Sequence, residues 1–248
     1  MLDGHGGVDA YLTRAKDLGM VGLATTDHGN IHSWLDFYDA GTALGVKPIL
    51  GSEFYQARKT RWDRDEEERA GKAKSEWEQR GPYHITILAK NNVGYHNIIK
   101  MSSQSYTDGF YVKPRLDHEL ISQYSDGIIV LSGCLNSEVC QALLRNDYNF
   151  ALESAKKMQD IVGKENYFIE IQDHGLGEQR KISAELIDIA QKIGAKVIPT
   201  GDCHYVNQSE ANSHDIMLCV ATNSNIYTPD RFSFSGDHWY LHSYQEMA

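Results

Sequence analysis

Val21-Gly22-Leu23-Ala24-Thr25-Thr26-Asp27-His28-Gly29-Asn30 is the stretch whose reading decides the fold. A short apolar run of strand length ends in an Asp-His-Gly turn, so side chains able to hold a metal follow directly on a strand. The same order recurs at Gly51-Ser52-Glu53, which closes an apolar run over 46–54, and at Gly201-Asp202-Cys203-His204-Tyr205, which follows another over 195–200. Three such segments point to a metal centre at the mouth of an α/β barrel. There the carboxyl ends of several strands converge on one face, and ligands distant in sequence become neighbours.

Further strands are expected at 84–89, 127–131 and 167–171, besides 21–25. Helical spacing of apolar residues marks 8–18, 31–44, 95–101, 138–144, 148–161 and 179–193. Alternation of this kind predicts a parallel sheet with helical crossovers. No internal repeat of fixed length interrupts it. Residues 58–82 break the pattern: Arg58 to Arg80 is dense in both charge signs and carries Trp62 and Trp77, which reads as a solvent-exposed insertion or a flap over the site. Ser243-Tyr244-Gln245-Glu246 matches a capping box that opens a helix, with Met247 and Ala248 after it.

The 248 residues suffice for one α/β barrel or two small domains, and 41% apolar content supports a packed core. The net charge of −10 makes the chain a poor candidate for gripping nucleic acid by charge alone. Cys134, Cys140, Cys203 and Cys219 form no CxxC pair, which argues against a disulfide framework or a zinc ribbon and for a reducing cytoplasm. No signal-peptide pattern or membrane-length apolar run is present in the sequence.

Asp, Glu, neutral His and Cys thiolate together suit zinc, manganese or iron better than calcium or magnesium, which prefer oxygen shells. The candidates are Asp3, His28, Glu53, His84, Cys134, Asp202 and His204. Asp202 and His204 are two apart, so in an extended segment both leave on one face. His174, after the fifth strand, has the same placement and is read as a substrate contact. His5 is expected to be exposed.

The stretches TDHGN, GSEFY, HITILAKN, GFYVKPRLD, LSGCLNSEV, ENYFIEIQDHGL, TGDCHYV and RFSFSGDHWYL occur in this order. Over essentially the whole chain they resemble the PHP (polymerase and histidinol phosphatase) domain of bacterial replicative DNA polymerase III alpha subunits. The resemblance implies one PHP domain over 1–248, with 237–248 beginning the connection to a polymerase body. It implies a distorted seven-stranded (β/α) TIM-like barrel and a cluster of up to three zinc, manganese or iron ions held by nine ligands. Seven of the nine map onto the candidates above. The family's first strand, with its His-x-His pair, has no counterpart here, so a fragment with fewer than three ions is expected. Metal-dependent phosphodiester hydrolysis follows, as 3′–5′ exonuclease proofreading, with Asp202, His204, Glu53 and His28 carrying the chemistry. Primer-template DNA, a sliding clamp and a separate proofreading subunit are the implied partners, in the cytoplasm and away from membranes. A metal-poor scaffold that docks such a subunit is one alternative. A stand-alone phosphoesterase, with Lys113 or Arg115 holding the phosphate of a small ester, is the other.

Overall fold

The structure is a computed structural model that describes residues 3–64 and 81–247. Among these residues nine helices and seven strands follow the order α1 (Val8–Asp17), β1 (Gly22–Thr25), α2 (Trp34–Leu44), β2 (Lys47–Gln56), β3 (Tyr83–Ala89), α3 (Asn92–Thr107), β4 (Arg115–Leu116), α4 (His118–Gln123), β5 (Ile128–Leu131), α5 (Glu138–Leu144), α6 (Tyr148–Val162), β6 (Tyr167–Ile171), α7 (Gly177–Ile193), β7 (Lys196–Pro199), α8 (Ala211–Ala221) and α9 (Tyr244–Met247). Local chemistry sets several ends. The Asn91 side chain accepts from the backbone N–H groups of Val93 and Gly94 and starts α3 three residues before its apolar periodicity does. Gly45 and Gly194, both left-handed, end α2 and α7. The box at Ser243 and Glu246 forms as the sequence predicts and opens the single turn of α9.

The strands form one curled, mixed sheet in the order β1-β2-β3-β5-β6-β7, with β4 beside β2. This corrects the all-parallel expectation. β1 and β2 are parallel, and so are β5, β6 and β7, but β3 runs antiparallel to both β2 and β5. Reversal of β3 places its first residues, rather than its last, at the end of the sheet where β2 and β5 finish. His84, the second residue of β3, thereby sits opposite Tyr55.

Strand alternation separates two environments. Phe54, Ile85, Ile87, Ile128, Val130, Tyr167 and Ile169 face the helices and join Ile98, Met101, Leu120, Val139, Ile182 and Ile189 in the main apolar core. The alternate positions, Glu53, Tyr55, His84, Thr86, Phe168 and Glu170, share the concave face. The polar residues of the site are therefore backed by the apolar layer that fixes the strands. A smaller core of Leu12, Ala15, Phe37, Val46 and Leu241 lies under α1 and α2.

The charged-insertion expectation is partly corrected. Arg61 is buried, not solvated: its Nη1 donates to Asp117 Oδ1 at 2.8 Å and to Glu119 Oε2 at 3.1 Å. Trp62 is half exposed beneath the Arg61 guanidinium. Trp77 and the remainder of that run, 65–80, lie outside the described residues.

Candidate metal centre

Backbone hydrogen bonds between the loop after β1 and strand β2 fix two of the donors, His28 and Glu53. The Glu53 N–H reaches the carbonyls of Thr26 and Asp27, the Gly29 N–H donates to the Glu53 carbonyl at 2.8 Å, and the Ser52 hydroxyl donates to the Asp27 carbonyl. These bonds fasten the loop after β1 to β2 and set His28 beside Glu53. Gly29 has φ +63°, and a Cβ there would lie 2.8 Å from the Tyr55 ring, so no other residue fits this approach.

The seven expected ligands form one connected cluster. His28 Nε2 is 3.3 Å from Asp3 Oδ2, and His28 Nδ1 is 2.6 Å from Glu53 Oε2. His84 Nδ1 lies 3.0 Å from Glu53 Oε1, and the Cys134 Sγ lies 3.3 Å from the same oxygen and 3.6 Å from His84 Nδ1. His204 Nδ1 is 3.6 Å from Asp202 Oδ1, and the His204 and His28 ring centres are 6.2 Å apart. Asp3, His28 and His204 make one group whose donor atoms lie within 4.8 Å of one another, and His28, Glu53 and His84 make a second. His28 belongs to both.

The electrostatics favour a cation at this point. Burial opposes a charge on His28, yet contacts with Asp3 and Glu53 push its pKa up to about 11. Against the same burial, His84 and His28 hold Glu53 well below the usual carboxylate range, and His28 lowers the pKa of Asp3. Burial, followed by the charges of Glu53 and Asp202, pushes the Cys134 thiol well up. Burial raises Asp202 as well, against the attraction of His204. His28 Nδ1 is buried and makes no aligned hydrogen bond despite its short distance to Glu53. An imidazole nitrogen facing a carboxylate oxygen in this way, in a mixed O, N and S donor set, fits a shared transition-metal ion.

Three other sequence-predicted residues take different places. Lys113 Nζ is 3.4 Å from the Tyr55 hydroxyl, and the Tyr55 ring packs edge-on against His84, so this lysine stands beside the cluster. Arg115 does not. It is fully buried, and its guanidinium donates to the carbonyls of Gly109, Arg61 and Asp63, which clamps two loops and turns the charge away from any phosphate at the cluster. His174 is likewise buried, stacked on Trp239 at 4.0 Å, and its Nε2 accepts the Asp202 backbone N–H at 3.1 Å. Burial pushes its pKa down to about 4, which favours the neutral imidazole whose Nε2 accepts from the ligand loop. His5 is half-buried, not exposed, and its backbone N–H donates to the His204 carbonyl.

Sequence reasoning missed four participants. Glu170 is buried on the concave face between the loops that carry Cys134 and Asp202. A carboxylate inside the apolar run Tyr167–Ile171 was the available signal. Trp239 accepts the His204 N–H through its carbonyl, and Phe234 packs against the His204 ring. His214, on the unpredicted helix α8, lies 2.7 Å from the Asp3 carbonyl through its Nε2.

Sequence comparison agrees with this architecture. The PHP domain profile matches residues 1–174, and the chain belongs to the PHP domain family. It is homologous to DNA polymerase III alpha subunits: 40% identical over its full length to that of Treponema pallidum, 39% over 91% of the chain to that of Thermus aquaticus, and 38% over its full length to that of Deinococcus radiodurans. The chain spans about a fifth of the length of these curated relatives, 20%, 18% and 18% respectively. No helix among the described residues is long and apolar enough to cross a membrane.

Proposed function

We propose that the chain acts in the cytoplasm as the PHP domain of a replicative DNA polymerase III alpha subunit and hydrolyses phosphodiester bonds with divalent transition-metal ions, removing 3′-terminal nucleotides. The observation that carries this reading is His28, shared by two donor groups within one seven-residue cluster of carboxylates, imidazoles and a thiol. Ions bound there supply Lewis acidity toward phosphoryl oxygens and acidify a bound water. Asp3, His28, Glu53, His84, Cys134, Asp202 and His204 hold them. Zinc, manganese and iron all match the donors, and seven ligands support fewer than three ions. Lys113, placed by Tyr55 at the cluster's edge, neutralises the phosphate. The acidic chain relies on these ions, and on the rest of a polymerase with its clamp, for contact with primer-template DNA.

The test combines metal analysis with a nuclease assay. Protein purified without chelator is expected to carry one or two transition-metal ions, and Asp202→Ala with His204→Ala to lose most of them. The loaded protein is expected to shorten 3′-labelled primer DNA at low salt, and Lys113→Met to raise KM with little change in kcat. Full metal occupancy without nucleotide release would refute the nuclease reading and leave a scaffold that docks a proofreading subunit. Unchanged metal content in the double variant would refute the site itself.

A further inference from the structure

Strands β5, β6 and β7 are adjacent and parallel, and the outer two lead into the loops bearing Cys134 and Asp202. Glu170 lies near the end of the middle strand and is only 4% exposed. Its Oε2 accepts the Gly133 N–H at 3.0 Å, one residue before Cys134. Its Oε1 accepts the Thr200 hydroxyl at 2.5 Å, two residues before Asp202, and the Gln172 side-chain amide at 3.3 Å. The Gly133 N–H lies beyond the β5–β6 pairing, whose last backbone bond runs from Ser132 to Phe168, so a side chain must satisfy it. Gly133 has φ +93°, and a Cβ there would come within 2.7 Å of the His84 carbonyl. The loop is thus pressed against β3 on one side and hung from Glu170 on the other. Nothing in the hydrolysis described above uses this carboxyl group.

We propose that Glu170 is a positioning residue that sets the separation of the Cys134 and Asp202 donors by accepting one hydrogen bond from each of their loops. This rests on the metal-centre reading. The requirement is for reach and two polar contacts, not for charge. Glutamine meets it: its oxygen takes the Gly133 N–H while its amide donates to the Thr200 hydroxyl, which accepts as readily as it donates, and the Gln172 amide turns over to present its oxygen to the new N–H. Aspartate keeps the charge but is one methylene too short to span both loops.

Cobalt(II) titration of the full chain reads this directly, because thiolate ligation gives a charge-transfer band in the near ultraviolet that Cys134→Ser should abolish. Glu170→Gln is expected to keep the wild-type band and midpoint. Glu170→Asp and Glu170→Ala are expected to weaken binding about tenfold or more, with circular dichroism showing the same folded fraction at the assay temperature. Wild-type cobalt binding by Glu170→Asp or Glu170→Ala would overturn the proposal, and so would loss of the band in Glu170→Gln. Should Glu170→Ala not fold, the glutamine and aspartate variants decide. A wild-type chain that binds cobalt with no Cys134-dependent band would overturn the metal-centre reading and this inference together. A wild-type band with no difference among the three variants would overturn this inference alone.

Discussion

Glu170→Gln in the metal-free chain should reverse a pH-dependent loss of stability. Burial raises the Glu170 pKa from 4.5 to about 7; hydrogen bonds from Thr200 and Gly133 oppose the shift, and the charges of Glu53 and Asp202 add to it. The folded chain then holds this proton more tightly than the unfolded chain, so wild-type stability falls as pH rises from about 4.5 and levels off above about 7. At about 1.4 kcal/mol per pH unit the whole loss is ~3 kcal/mol, of which ~2 kcal/mol falls between pH 5.5 and 8.5. Glutamine does not titrate, and every other group is common to the two proteins. The stability of the variant minus that of wild type should therefore climb by ~2 kcal/mol across this range, or ~4–8 °C in the difference of Tm for a chain of this length. Thermal melts in EDTA at half-unit pH steps measure it. A difference that stays flat, or falls with pH, would refute the reasoning and place an ordinary ionised carboxylate at this position.

Arg115→Ala should cost about 3 kcal/mol or more in chemical denaturation, because a large, fully buried side chain is removed and the buried Gly109 carbonyl loses its donor, the Arg61 and Asp63 carbonyls keeping Arg64, while metal content below the transition stays that of wild type. A raised nuclease KM without loss of stability would return Arg115 to a phosphate-binding role. His174→Phe keeps a ring on Trp239 but leaves the Asp202 N–H without its acceptor, so metal affinity should drop ~10–100-fold in a competition titration. With the His174 pKa near 4, this deficit should not change between pH 5.5 and 8; a deficit that vanishes at low pH would mean the imidazole acts as a charged group.

By itself the sequence determined six of the seven described strands, most helices and the chemistry of the donors. Those features are local: an apolar run ending in Asp-His-Gly or Gly-Asp-x-His carries its meaning within ten residues, and β6 falls at Tyr167–Ile171 as its residues predict. The tertiary structure alone decided three things. It set the direction of β3, because hydrophobic alternation reads the same along a strand in either sense, and that reversal brings His84 to the cluster from the strand's beginning. It buried His174 and Arg115, since burial depends on Trp239 and on the loops around Gly109 and Asp63, which the local sequence does not reveal. It also gave Glu170 its place, because a carboxylate between two loops is recognisable only once neighbouring strands have paired and left one N–H and one hydroxyl pointing at it.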